Sequence, residues 1–111
     1  MVDAGHPDAA LMALARAIVA NDAVAVSAAL AASPELIRAS IRAGATRQIS
    51  NPYFLVEISH YLYASDTALH VAAAAHRRSI AMVLLAKGAD IRAQNRRGAQ
   101  PLHYAADGAP G

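Results

Sequence analysis

The sequence predicts an all-α fold, a solenoid of about two and a half helix-turn-helix repeats with a helical insertion after the first repeat. Three observations carry this expectation. Hydrophobic residues make up 56% of the chain and aromatics only 5%, so the apolar content is mostly alanine, a strong helix former whose small side chain lets helices pack closely. Setting Leu69-His70 on Leu102-His103 gives a spacing of 33 residues, a period typical of stacked supersecondary units. A weaker self-match at a shift of 55 residues sets Leu14 on Leu69, Asn21 on His76, Leu30 on Leu85 and Ser33 on Gly88.

Because 55 exceeds 33 by 22, about 22 extra residues separate the first repeat from the second. The 111 residues form one domain, of a size that buries roughly two-thirds of its unfolded surface. Within it, residues 8–33 read as a degenerate N-terminal repeat, 34–64 as the insertion, 65–97 as a well-formed repeat and 98–111 as a truncated third.

In the first repeat, "LARAIVANDAVAVSAALAAS" supplies two helices around a tight turn at Asn21-Asp22, asparagine being tolerant of positive φ. The early polar residues Asp3, His6, Asp8 and Arg16 suit a repeat that caps the stack. The insertion opens on "SPELIRASIRAG", with Ser33 as N-cap, Pro34 at the first helical position, Glu35 in the first turn and Gly44 as a stop, which predicts a short helix. Asn51-Pro52 repeats the start signal, and Phe54, Leu55, Ile58, Tyr61 and Leu62 follow at i, i+3, i+4 spacing, predicting a second, aromatic helix over 52–63. Four of the five aromatics, Tyr53, Phe54, Tyr61 and Tyr63, lie here. Two readings of that helix stay open: it covers the side of a core that alanine leaves thin, or it remains exposed and receives a partner.

The second repeat carries the strongest signals. Thr67 stands where its hydroxyl caps a helix, and Ala72 and Ala73 keep that helix slim. Ile80, Val83, Leu84 and Leu85 give the next helix an apolar stripe. Gly88 marks its end, and Asn95 and Gly98 mark the turn into the third repeat, which opens with Pro101, Leu102 and His103.

Across residues 66–106, "DTALHVAAAAHRRSIAMVLLAKGADIRAQNRRGAQPLHYAA", the chain resembles the ankyrin-repeat family, whose signature is Thr-Pro-Leu-His-x-Ala on a 33-residue period. It departs from that pattern at His76, which occupies the usual glycine site, at Gln100 in place of the capping Thr, and at Ala68 in place of the proline that Pro101 retains. The resemblance implies that His70 and His103 hydrogen-bond locally and to the neighbouring repeat. It also implies a concave surface, lined here by Val71, Ala74 and Tyr104, beside the single ordinary hairpin at Arg92 to Gly98.

Charge and composition bound the function. Net charge is +2, with −2 over residues 1–66 (four Arg against six acids) and +4 over 67–111 (five Arg and Lys87 against Asp90 and Asp107). The basic character is therefore local. There is no cysteine, which excludes disulfides and thiolate metal sites and is compatible with a reducing compartment. The N-terminus lacks the basic segment of a secretory signal and no apolar run approaches ~18 residues, so a soluble, cytoplasmic protein with no membrane contact is expected. Ser65, Asp66 and His70 are near neighbours at a helix start with no nucleophile elbow or oxyanion-hole motif beside them. No catalytic set, metal site or cofactor is expected.

The resemblance thus implies a non-catalytic module that binds another protein through the concave face and a basic finger formed by Arg92, Gln94, Arg96 and Arg97. Such a patch suits an acidic protein segment, while the absence of interleaved aromatic and basic residues argues against nucleic acid. Two alternatives stand beside it. Since "QPLHYAADGAPG" supplies one helix of a third repeat, the chain reads as a fragment of a longer array, or as the scaffold or regulatory piece of a larger enzyme. The other is a structural unit that self-associates through the uncovered third-repeat face.

Overall fold

The computed structural model describes residues 8–46, 53–58 and 60–106. Five helices run in order as α1 (Ala9–Val19), α2 (Ala23–Ala32), α3 (Ala68–Ala74), α4 (Arg78–Ala86) and α5 (Pro101–Ala106). The helix α3 is the middle layer, packed against α1 on one side, α5 on the other and its own partner α4. Its small residues permit this: Ala68, Leu69, His70, Val71 and Ala72 are all buried.

The two helical hairpins repeat each other in detail. The turn after α1 places Asn21 at φ 58° and the turn after α3 places His76 at φ 56°. In both, paired amides fold back onto the ending helix. Asn21 and Asp22 donate to Ile18 and Ala17 at 2.9 and 3.0 Å, and His76 and Arg77 to Ala73 and Ala72 at 3.1 and 2.9 Å. All four pairs obey the 55-residue shift. Asp22 then caps α2, its carboxylate accepting from the Ala25 amide at 3.1 Å. The equivalence ends at Ser33, which has φ −140° where Gly88 has φ +105°, so the chain leaves α2 in a different direction.

That departure leads into the insertion, and here the two expected helices are corrected. Residues Pro34–Ile37 form one turn of 3₁₀ helix and no more. The chain then extends, and Ser40 pairs with Thr67 in an antiparallel bridge. Ile41 donates to the Asp66 carbonyl at 2.8 Å, Ser65 returns to the Ile41 carbonyl at 2.7 Å, and Ala45 donates to Leu62 at 2.8 Å. All but the Ser65–Ile41 bond, which is shifted by one residue, share one register, so 40–45 and 62–67 are the two arms of an enlarged hairpin.

The expected aromatic helix over 52–63 is also a hairpin. Strand β1 (Phe54–Leu55) pairs antiparallel with β2 (His60–Tyr61), and a 3₁₀ turn at Val56–Ile58 joins them. The physical reason is a competing period. Tyr53 and Leu55 are buried with Phe54 between them half-buried, an alternation of two in a segment of β-prone aromatic residues. The Phe54 and Tyr61 rings meet across the pair at 4.7 Å. The start signal at Asn51-Pro52 and the polar positions Asp3 and His6 lie outside the described residues.

The buried carboxylate of Asp8 locks this irregular segment to α1. It accepts from the Arg42 and Ala43 amides at 2.6 and 3.0 Å and from the Tyr53 hydroxyl at 2.6 Å. Burial opposes its ionisation, but the Tyr53 hydroxyl and the amides of Arg42, Ala43 and Gly44 together outweigh it and hold its pKa below the usual carboxylate value. The same contact and burial push the Tyr53 hydroxyl up to about 12. Gly44 permits the close approach: at φ +74° a Cβ would lie 2.4 Å from the Ala64 amide nitrogen.

The stripe on α4 needs one correction. Ile80 and Leu84 face the core and Leu85 lies against it, but Val83 is 42% exposed, because the inward positions repeat at i and i+4 and Val83 falls one residue off that line. Arg77 stands in the turn between α3 and α4. It is half-buried, its Nη2 and Nε donating to the Val19 carbonyl at 2.7 and 3.2 Å, which satisfies and neutralises the C-terminal end of α1.

Two predictions follow from the insertion's anchors. Asp8→Asn should cost about 2 kcal/mol in urea unfolding at neutral pH, the scale of hydrogen bonds to a charged group. Because the folded pKa is lowered, the stabilisation from Asp8 is complete above the ordinary value near ~3.9 and is lost as pH falls through the folded value. The acid limb of wild-type stability should therefore flatten in the variant. Gly44→Ala should cost about 2 kcal/mol or more, measured the same way.

Candidate functional site

The finger begins where α4 ends, at Gly88 with φ +105°. Asp90 accepts from the Arg92 amide at 2.9 Å and closes the first bend. The second bend is built on Asn95, which is buried. Its side-chain oxygen accepts from the Arg97 and Ala99 amides at 2.9 and 3.0 Å, while Gly98 turns the chain at φ +80°. Its amide group donates to the buried Asp66 carboxylate at 2.9 Å and to the Tyr104 hydroxyl at 2.6 Å. Asp66 also accepts from the Tyr63 amide at 2.8 Å, and Arg96 donates to the Ala64 carbonyl at 2.8 Å. The finger is thus fixed to the returning arm of the enlarged hairpin.

On this frame Arg92, Gln94, Arg96 and Arg97 are all exposed. The Arg97 guanidinium lies over the Tyr63 ring at 5.4 Å from its centroid, a cation-π contact that limits its swing.

Beneath the finger, His70 joins three elements. Its Nδ1 accepts from the Thr67 amide at 3.1 Å and lies 2.8 Å from the Thr67 hydroxyl. The hydroxyl in turn accepts from the His70 amide at 3.3 Å, completing a capping box. Because Nδ1 faces an amide donor, the ring proton sits on Nε2, which donates to the Ala99 carbonyl at 2.8 Å. His103 repeats the local half, its Nδ1 accepting from the Gln100 amide at 2.9 Å. Leu69 is 3% exposed and Leu102, its counterpart, 69%. Pro101 is buried at the start of α5.

The concave residues expected from sequence divide. Ala74 is half-buried. Val71 is buried within α3 and presents no side chain to a partner. Tyr104 is half-buried, its ring held edge-on between His60 at 4.8 Å and His70 at 5.5 Å. Burial and the Asp66 carboxylate push its hydroxyl upward in pKa, consistent with a phenol that stays protonated inside the network. Sequence spacing could not show this, because the covering ring of His60 comes from the inserted hairpin.

The arrangement also answers the catalytic alternative. Both ring nitrogens of His70 are committed to backbone and Thr67, and Asp66 points at Asn95 and the Tyr63 amide. Among the described residues no group of three or more metal-ligating side chains converges, and no helix is long and apolar enough to cross a membrane.

Residues 55–105 match the family model for ankyrin repeats in many copies. This stretch of the chain carries ankyrin repeats. The matched stretch runs from Leu55 at the end of β1 through β2, α3, α4 and the finger to Ala105 in α5. A comparison with curated proteins finds no match. Ankyrin repeats are in general non-catalytic protein-interaction modules.

The two histidines, which share the amide contact at Nδ1, should differ sharply in cost. His70→Ala strands the Thr67 amide, removes one of the two donors to the Ala99 carbonyl and opens a cavity in a buried layer, and should lose about 3 kcal/mol in urea unfolding. His103→Ala removes only an exposed capping contact and should lose about 1 kcal/mol or less.

Proposed function

We propose that this chain is a non-catalytic module that binds an acidic segment of another protein through the finger residues Arg92, Gln94, Arg96 and Arg97, with Ala74 on the adjoining concave surface. In this reading α1 and α2 are the N-terminal repeat, α3 to the finger the second, and α5 opens a third. A cytoplasmic setting belongs to the same proposal, supported by the absence of cysteine.

One observation carries it. Arg92 stands exposed on the first bend, closed by Asp90, and Arg96 and Arg97 stand exposed on the second, whose backbone is fixed from within by Asn95. A bend held in one conformation loses little further entropy on binding, so its charges are available for affinity and steering. The local balance of +4 over residues 67–111 selects for acidic partners.

A self-association reading is favoured by a second observation. Leu102 and Met82 are 69% and 62% exposed, and burying such side chains is favourable at roughly 25 cal/mol per Å².

Two measurements separate these. Arg96→Glu with Arg97→Glu should lose, by roughly tenfold or more in affinity, the proteins that wild type captures at low salt; a double variant that keeps every partner contradicts the site. Leu102→Glu should abolish any growth of sedimentation coefficient with concentration while leaving capture unchanged.

A further inference from the structure

Between the finger and α5 lies a groove of about 420 Å³, lined by Arg97, Gly98, Ala99, His103 and Tyr104. Among the described residues no acidic side chain lines it. Its acceptors are already used: the Ala99 carbonyl takes both the Asn95 amide at 2.9 Å and His70 Nε2 at 2.8 Å, and the Tyr104 hydroxyl takes the Asn95 amide group.

Its donors are not used in the same way. The Arg97 guanidinium is placed by the Tyr63 ring, and its charge reaches the Tyr104 hydroxyl inside the groove. On the opposite wall, the Gln100 amide donates to His103 Nδ1, so the neutral ring carries its proton on Nε2. The same donor on His70 finds a backbone carbonyl; on His103 the side chain is exposed. A fixed cation and a fixed N–H donor therefore share one small cleft.

We propose that Arg97 and His103 Nε2 clamp one carboxylate, a Glu or Asp side chain, of the acidic protein segment that the finger receives. The inference rests on the acidic-partner reading above and adds a defined subsite to it. Arg97 supplies the charge-assisted contact and His103 the directional one. Without the His103 donor the segment keeps its general attraction to the finger but loses the preference for a carboxylate at this position.

The test uses the full chain and two short fluorescent peptides, one of alternating Gly and Glu and one of alternating Gly and Gln, titrated at low salt. The discriminating pair is at His103. Asn places its side-chain oxygen where Nδ1 accepts and removes the distal donor, whereas Gln places an amide donor near Nε2 and removes the proximal acceptor. His103→Asn and Arg97→Gln should each cut the preference for the Glu peptide roughly tenfold, the scale of one hydrogen bond to a charged group, and His103→Gln should retain it. If Arg92→Gln with Arg96→Gln abolishes binding while His103→Asn and Arg97→Gln leave it unmoved, the clamp is wrong and the finger reading stands. If wild type binds neither peptide, the acidic-partner reading falls and takes the clamp with it. Circular dichroism of each variant keeps loss of fold apart from loss of contact.

Discussion

The exposed half of this molecule depends on a carboxylate that no solvent reaches. Asp66 is fully buried and accepts from the Tyr63 amide and the Asn95 side chain. A buried charge is tolerated only when it is hydrogen-bonded from several sides. Here the bonds come from different stretches of chain, the returning arm of the insertion and the finger, with Tyr104 of α5 in the same network. Satisfying one charge therefore fixes three elements relative to each other. Asn95 passes that constraint outward through the amides of Arg97 and Ala99.

A second buried carboxylate plays the corresponding role at the other end. Asp8 gathers the loop amides of Arg42 and Ala43 and the Tyr53 hydroxyl, attaching the insertion to α1. Between the two acids, the segment that is neither helix nor long strand is held at both ends. Aliphatic packing alone gives little register to such a segment, since hydrophobic burial is non-directional. The directional bonds come from Asp8, Asp66 and Asn95, and the alanine-rich helices supply the close-packed layer on which they rest.

Much of this was legible in the sequence where the signal is local. The spacing of Leu69-His70 and Leu102-His103 gave the period, and setting Asn21 on His76 located two turns that share a positive φ near 57°. Thr67 and His70 lie three residues apart and their capping contact follows from helix geometry. What was hidden is long-range. The partner of Asp8 is an amide 34 residues away, Arg77 reaches a carbonyl 58 residues back, and neither leaves a spacing to read. The stretch from Tyr53 to Leu62 fits both a helical and an alternating period, and pairing with its neighbours decided for strands. Tyr104 was read onto an open face for the same reason, because the His60 ring that packs against it belongs to that hairpin.

The central claim is that the finger's shape is set from below by the Asp66–Asn95 contact. A double-mutant cycle in urea unfolding, with Asp66→Ala, Asn95→Ala and the pair, measures it directly. Each single change should be strongly destabilising, and the pair should cost less than the sum by more than about 1 kcal/mol, as expected for partners in one buried network. Additivity to within about 0.5 kcal/mol would mean that the two residues act separately, and that something other than this contact holds the finger in place.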